Sequence, residues 1–239
     1  DLYDWLNVGI NMAYSHYKNN GIIPGQGSNR AGVVLSVINT PTYAPIWNPE
    51  DPRQYFNNFY GAQNLTSPLE NLSRTESNYG QTDRLLLTGE ATIKLHKTLN
   101  FKSTVSMDRR WVHNFSFLDP IKSDYGRTQH GYASDERQDD RRMIYDNILT
   151  FNNSWNAKHN FEAMAGTSAT TSTWEALWGE RTHFNPDHVI VGLNGGNKGG
   201  LRGNSQSKSQ WSIMSFLARA SYNYDSKYSI LHYYGDEGT

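Results

Sequence analysis

Residues 84–96 read Arg84-Leu85-Leu86-Leu87-Thr88-Gly89-Glu90-Ala91-Thr92-Ile93-Lys94-Leu95-His96. After Lys97-Thr98 the chain resumes as Leu99-Asn100-Phe101-Lys102-Ser103-Thr104-Val105-Ser106-Met107-Asp108-Arg109. In the first segment Leu85, Leu87, Gly89, Ala91, Ile93 and Leu95 alternate with Arg84, Leu86, Thr88, Glu90, Thr92, Lys94 and His96. In the second, Leu99, Phe101, Ser103, Val105 and Met107 alternate with Asn100, Lys102, Thr104, Ser106 and Asp108. A two-residue period places each set on one face of a strand, and two such runs across a two-residue turn predict a hairpin. Both runs exceed the usual soluble strand of about five or six residues and match the roughly 9–11 residues of a tilted strand that crosses a bilayer.

The same alternation extends in both directions. Residues 5–17 set Leu6, Val8, Ile10, Met12 and Tyr14 against Asn7, Gly9, Asn11, Ala13 and Ser15. Further copies are predicted at 143–155 (Tyr145, Leu149, Phe151, Trp155), 159–170 (Phe161, Ala163, Ala165, Thr167) and 211–224 (Met214, Phe216, Ala218, Ala220, Tyr222, Tyr224). A seventh begins near Lys227. Tight polar turns are predicted at Lys97-Thr98, Asn156-Ala157-Lys158 and Asp225-Ser226, and long connections at 18–82, 110–142 and 171–209. Short and long connections alternate throughout, as in an outer-membrane barrel with short periplasmic turns and long extracellular loops. Soluble domains seldom carry several connections beyond about 12–15 residues. Leu6, Val8, Ile10, Met12, Leu85, Leu87, Ile93, Phe101 and Val105 are expected to face lipid; Asn7, Asn11, Thr88, Glu90, Thr104 and Ser106 are expected to face the lumen. No 20–50-residue sequence repeat is visible.

Composition agrees. The 239 residues are 36% hydrophobic and 13% aromatic, with mean hydropathy -0.73, and no stretch approaches the roughly 20 apolar residues of a spanning helix. Net charge is -1, with 22 basic and 23 acidic residues, so neither disorder nor a nucleic-acid footprint is expected. The absence of cysteine excludes disulfides and thiolate chemistry. The chain opens on Asp1 just before a strand, which predicts a mature or partial chain cut from something longer.

Signatures of enzymatic chemistry are lacking: neither His-Glu-x-x-His, nor Gly-x-Ser-x-Gly, nor a phosphate-cradling Gly-rich loop with a following helix is found. No catalytic, metal or cofactor-binding residue is assigned. The glycine cluster between Gly192 and Gly203 reads as flexible loop. The histidines, His183 and His188 among them, read as scattered surface residues, and Asp135-Glu136-Arg137-Gln138-Asp139-Asp140-Arg141-Arg142 as self-neutralised, solvated ion pairs. In the first long connection, 32–38, Pro41–Pro49 and Ser67–Leu72 read as short helical turns punctuated by proline, packed as a structured cap. Tyr43, Trp47, Trp174 and Trp178 fall in these polar loops. They are either anchors for cargo or a lid protein, or a small satellite core of loop packing. Tyr3, Trp5, Tyr17, Trp111, Trp155, Tyr222 and Tyr228, near strand ends, are expected to form interfacial girdles.

Tyr222-Asn223-Tyr224-Asp225-Ser226-Lys227-Tyr228 resembles the aromatic strand end, tight turn and basic-Tyr strand start of the SusC-like (RagA-like) TonB-dependent transporters of the Bacteroidetes outer membrane. His159-Asn160-Phe161 leading to Ala165-Gly166, Leu99-Asn100-Phe101-Lys102 and the proline-rich segment 41–49 fit the same template, whereas residues 229–238 depart from the family's strand and turn. The resemblance implies an all-β fold: about seven strands of a roughly 22-stranded transmembrane β-barrel. Residues 1–239 would be a partial barrel, with the plug domain outside this chain. It further implies import of a glycan or peptide cargo across the outer membrane, a SusD-like lipoprotein lid, outer-membrane lipid around the wall, and energy from TonB through the plug. Two other readings stay open: a soluble secreted β-sandwich that binds glycans, and a structural component of an envelope assembly.

Overall fold

The computed structural model describes residues 3–20, 33–57, 67–73, 77–156, 158–187, 189–197 and 203–238. It is one antiparallel sheet of seven strands in sequence order. The strands are β1 (Leu6–Asn19), β2 (Tyr79–His96), β3 (Leu99–Leu118), β4 (Tyr132–Trp155), β5 (His159–Thr182), β6 (Asn204–Tyr224) and β7 (Tyr228–Gly238). Helices α1 (Val33–Asn39) and α2 (Pro68–Ser73) lie in the first long connection and α3 (Asp124–Thr128) in the second. A β-sandwich needs two facing sheets. The described residues form one, so the soluble-sandwich reading is set aside.

Short and long connections alternate as expected, but the strands are longer than hydropathy alternation marks. The long connections shrink to 20–78, 119–131 and 183–203, because β3, β4 and β5 continue well beyond the expected ends. Asp135–Arg142 is therefore strand, not loop, and so are Trp174 and Trp178. At the β6–β7 turn Asp225 and Ser226 both have positive φ (50° and 53°), and Lys227 N–H donates to the Tyr224 carbonyl at 3.0 Å. Two left-handed residues in succession give a turn whose twist matches the flanking strands. The expected Ala157 turn position, Gly32, His188 and residues 198–202 of the glycine cluster lie outside the described residues.

Register fixes the faces. Leu6 pairs with Ile93, Ile93 with Phe101, Phe101 with Leu149, Leu149 with Ala165 and Ala165 with Ala218, and paired residues share a face. The neighbouring row runs Val8, Ala91, Ser103, Asn147, Thr167 and Phe216. Two of its three polar members satisfy each other, since Ser103 Oγ donates to Asn147 Oδ1 at 2.9 Å. All nine residues expected on the apolar face share it, and none is buried: Ile10 is 74% exposed and Met12 72%. The six expected polar-face residues lie opposite, and there Lys102 pairs with Glu90 at 2.8 Å and Thr88 hydrogen-bonds Ser106 at 3.2 Å. Among the girdle aromatics that lie in strands, Tyr17 is the exception. Its register partner is Thr82, which puts it on the polar face, while Tyr14 takes the apolar-face position.

The apolar band runs along β4 from Trp155 to Met143. At about 3.3 Å per residue and a tilt near about 40° it is roughly 30 Å tall, the thickness of a bilayer's hydrocarbon. Its lower edge is aromatic: Trp155, Tyr224 and Tyr228 share the face with His159, whose Nδ1 lies 2.6 Å from the Tyr222 hydroxyl. Among the described residues the buried hydrophobic cluster is small and sits at the other end of the sheet. Phe117, Ala133 and Phe184 pack with Phe115, Val189 and Leu193, the Phe117 and Phe184 rings meeting edge to face at 5.2 Å. Gly131, at φ 86°, feeds β4 into this cluster; a Cβ there would sit 2.9 Å from Phe184.

Candidate functional site

Above the apolar band, Asp139-Asp140-Arg141-Arg142 on β4 faces Asp108-Arg109-Arg110 on β3. The pleat sends alternate residues to opposite faces, so this one charged run builds two separate structures. Asp140 and Arg142 join Arg84, Asp108 and Arg110 on the polar face; Asp139 and Arg141 join Arg109 on the other. The run is not self-neutralised as expected. Within it Arg137 pairs with Asp135 at 3.4 Å, but its other ion pairs cross to β3.

The polar-face residues line an open groove of about 260 Å³. Arg84 grips Asp108 with two nitrogens (2.9 and 2.7 Å), and Arg110 reaches Asp140 at 3.1 Å. The third guanidinium, Arg142, lies 5.6 Å over the Trp211 ring. Trp174 stands directly opposite Asp140, in a row of Ser15, Arg84, Arg110, Asp140, Trp174 and Ser209. Trp178 is on the same face, paired with Glu136. Trp174 and Trp211 beside three arginines and two aspartates, with Trp178 farther along the same face, make a surface able to stack a flat group and to hydrogen-bond charges of either sign.

Of the four aromatics singled out from the sequence, the structure brings Trp174 and Trp178 together on one face of β5. It places Tyr43 and Trp47 in the first connection. Both tryptophans of β5 are half-buried strand residues, which corrects the loop reading; neither belongs to a loop core. Residues 46–56 form a small hairpin rather than helical turns: Phe56 N–H donates to the Ile46 carbonyl at 3.0 Å, Asn48 N–H to Gln54 O at 2.9 Å, and Trp47 stacks on Tyr55 with centroids 4.6 Å apart. At its tip Arg53 donates to Asp51 through its backbone N–H, Nε and Nη2, holding the Asp51 carboxyl down at about 2. Arg53 also lies in the field of Asp187 from the β5–β6 connection. Tyr43 is 73% exposed. Helices α1 and α2 are present as expected and meet through Asn71 Nδ2 and Ser36 Oγ at 2.9 Å.

Arg84, Asp108, Arg110, Asp140, Arg142 and Trp211 went unread as a site in the sequence. The signal was there in the repeated Asp-x-Arg of 108–110 and 140–142, which at strand spacing puts both members on one face. The His130 and His183 rings meet at a tilt of 45° with centroids 4.9 Å apart, and among the described residues no group of three His, Asp or Glu is placed to hold a metal ion.

A single sheet with one apolar face, one polar face and hairpin connectivity is the wall of a barrel. No protein-family model and no curated protein matches the sequence. Solved structures do match in fold. The chain aligns over 99% of its length with a chain of the RagAB peptide transporter at TM-score 0.78 and 20% identity, covering 26% of that chain. It matches the RagAB peptide importer in its closed-closed state at TM-score 0.77 and 18% identity (99% of this chain, 26% of that one), and in its open-open state at 0.76 and 19% (98% and 26%). The resemblance to SusC-like transporters is thus shared architecture, over about a quarter of the length of those chains.

Proposed function

We propose that this sheet is a sector of an outer-membrane barrel that imports a nutrient. The observation that carries the proposal is the apolar band: it crosses the strands at one height, is about as tall as a bilayer's hydrocarbon, and gives way to charge above. A water-soluble protein has no use for a band of that height left uncovered. The fold shared with a peptide transporter supports the same reading. On it, the polar face lines the lumen, the long connections build the extracellular mouth, a SusD-like lipoprotein closes that mouth, and TonB supplies energy through a plug.

The cargo is a glycan or a peptide, and the groove of Arg84, Asp108, Arg110, Asp140 and Arg142 favours a peptide. A peptide presents both signs of charge, which this groove complements; a neutral glycan would leave them unused. Trp174 and Trp178 then supply stacking surface beside it. The test is uptake by cells lacking the gene and complemented with it, using a fluorescent peptide mixture and a matching oligosaccharide mixture. Peptide uptake restored by complementation is expected; restored uptake of the oligosaccharides alone would reverse the cargo assignment, and restoration of neither would remove the import reading.

A further inference from the structure

We infer that Arg109 and Arg141 form a site for a phosphate on the headgroup of a lipid in the outer leaflet of the membrane. The inference rests on the membrane reading above.

Arg109 of β3 and Arg141 of β4 are direct register partners on the apolar face, in the row immediately beyond Met107 and Met143. That row continues as Tyr14, Leu85, Arg109, Arg141, Thr173 and Gln210 and contains no carboxylate. Asp83, Asp139 and Glu175 stand one row farther out. Like charges directly opposite each other destabilise a sheet, and here the compensation is one-sided. Arg109 grips Asp139 through Nε and Nη2 and lies 4.6 Å over the Trp111 ring. Arg141 is exposed, and its side chain lies in the field of Asp139 but makes no hydrogen bond or ion pair among the described residues.

Directly opposed residues have Cβ atoms about 5 Å apart, so the Arg141 fork and the Nη1 edge of Arg109, which Asp139 leaves free, reach a single phosphate group. Its oxygens accept from two planar forks better than any single carboxylate does. Depth selects the lipid: this is the first row past the hydrocarbon-height band, where headgroups begin, and Trp111 beside it is an interfacial residue type. The arginines of the opposite face lack this character, since Asp108 and Asp140 already interleave with Arg84, Arg110 and Arg142.

The test uses the intact barrel protein purified in detergent and titrated with lipid A, a bisphosphorylated glycolipid, with binding counted by native mass spectrometry. Arg141→Gln is expected to weaken binding about tenfold or more, the loss of a charged hydrogen-bonding partner. Arg141→Lys is expected to recover part of it, and Lys102→Gln, the same charge loss on the opposite face, to bind like the parent. The parent should bind the dephosphorylated lipid as weakly as Arg141→Gln binds lipid A. Equal lipid A binding by the parent and Arg141→Gln, each with native heat-modifiable mobility, would overturn the proposal while leaving the barrel intact. Full competition by millimolar inorganic phosphate would also overturn it, assigning the site to a free anion. Failure of the membrane reading is separate and shows as protein that stays monodisperse without detergent.

Discussion

The lower and upper halves of the β4–β5 hairpin are one continuous ladder, yet they obey different rules. From Trp155 to Met143 and from His159 to Thr171, one face is apolar and the other polar, as for a wall between lipid and water. From Arg142 to Tyr132 and from Ser172 to Thr182, both faces carry charge: Asp139 and Arg141 on one, Asp140 and Arg142 on the other. The backbone hydrogen bonding does not change at the boundary; the side-chain chemistry does. Each 24-residue strand is about twice what a bilayer requires, so on the proposed membrane reading half of the hairpin stands above it.

The same substitution placed in both halves separates them most clearly. Leu87→Arg, in the apolar band, is expected to cost roughly 2–4 kcal/mol and to block assembly, while Thr88→Arg on the polar face is tolerated. Leu177→Arg lies on the same face as Leu87 but in the upper half, where it is 57% exposed, and should fold nearly as well as the parent. Heat-modifiable gel mobility reads all three. Equal yields for Leu87→Arg and Leu177→Arg would erase the boundary between the halves.

Trp174→Ala with Trp178→Ala probes what the upper half is for. Loss of anchoring aromatics costs on the order of 2 kcal/mol of binding, so peptide uptake should fall while barrel yield holds. If the pair serves only to stiffen the hairpin, protease sensitivity will rise first and uptake will follow it.

Gly131→Ala tests the cap at the upper end of the sheet. With φ at 86° and Phe184 against the vacant Cβ position, alanine strains the backbone by about 1–3 kcal/mol and displaces the Phe117–Phe184 cluster. Faster hydrogen exchange at residues 115–118 and 132–134, with unchanged exchange in the lower half, is expected; uniform loosening would mean that the halves are not independent.

The smallest effect is a pH response in the 46–56 hairpin. Asp51 has its carboxyl held at about 2, below the unfolded value of roughly 4, by hydrogen bonds from Arg53. A depressed folded-state pKa contributes stability above the unfolded value and loses it as pH falls through the folded one. The Trp47–Tyr55 stack should therefore be unchanged from pH 7 to about 4 and loosen as pH falls toward 2, read from Trp47 fluorescence. Asp51→Asn should remove that acid step.

The same two halves explain how much was legible in the sequence. In the lower half one face is apolar and the other polar, so hydropathy alternates and the parity of Leu6, Leu87, Phe101, Tyr145, Phe161 and Phe216 is readable from spacing alone. In the upper half both faces carry charge, alternation gives no hydropathy signal, and 132–142 and 172–182 read as loop, Trp174 and Trp178 with them. Tyr17 erred for a related reason: an aromatic near a strand end suits a girdle on either face, and only register with Thr82 decides. The charged groove needed cross-strand pairing of Asp108-x-Arg110 with Asp140-x-Arg142, which a two-residue period implies only once both runs are known to be strand.

On the proposed membrane reading, one face of this sheet meets lipid over the lower half and water over the upper half. The sequence has no cysteine, so single cysteines can be introduced at Ala91, Val105, Thr104, Ser106, Trp111 and Leu177 in the intact protein, spin-labelled and reconstituted in bilayers. Accessibility to oxygen, which partitions into lipid, is then compared with accessibility to a water-soluble nickel chelate. Oxygen is predicted to dominate at positions 91 and 105 and nickel at 104, 106, 111 and 177. Equal accessibilities at 104 and 105, or oxygen dominance persisting to position 177, would rule out a lipid-facing lower half bounded by a wet upper one.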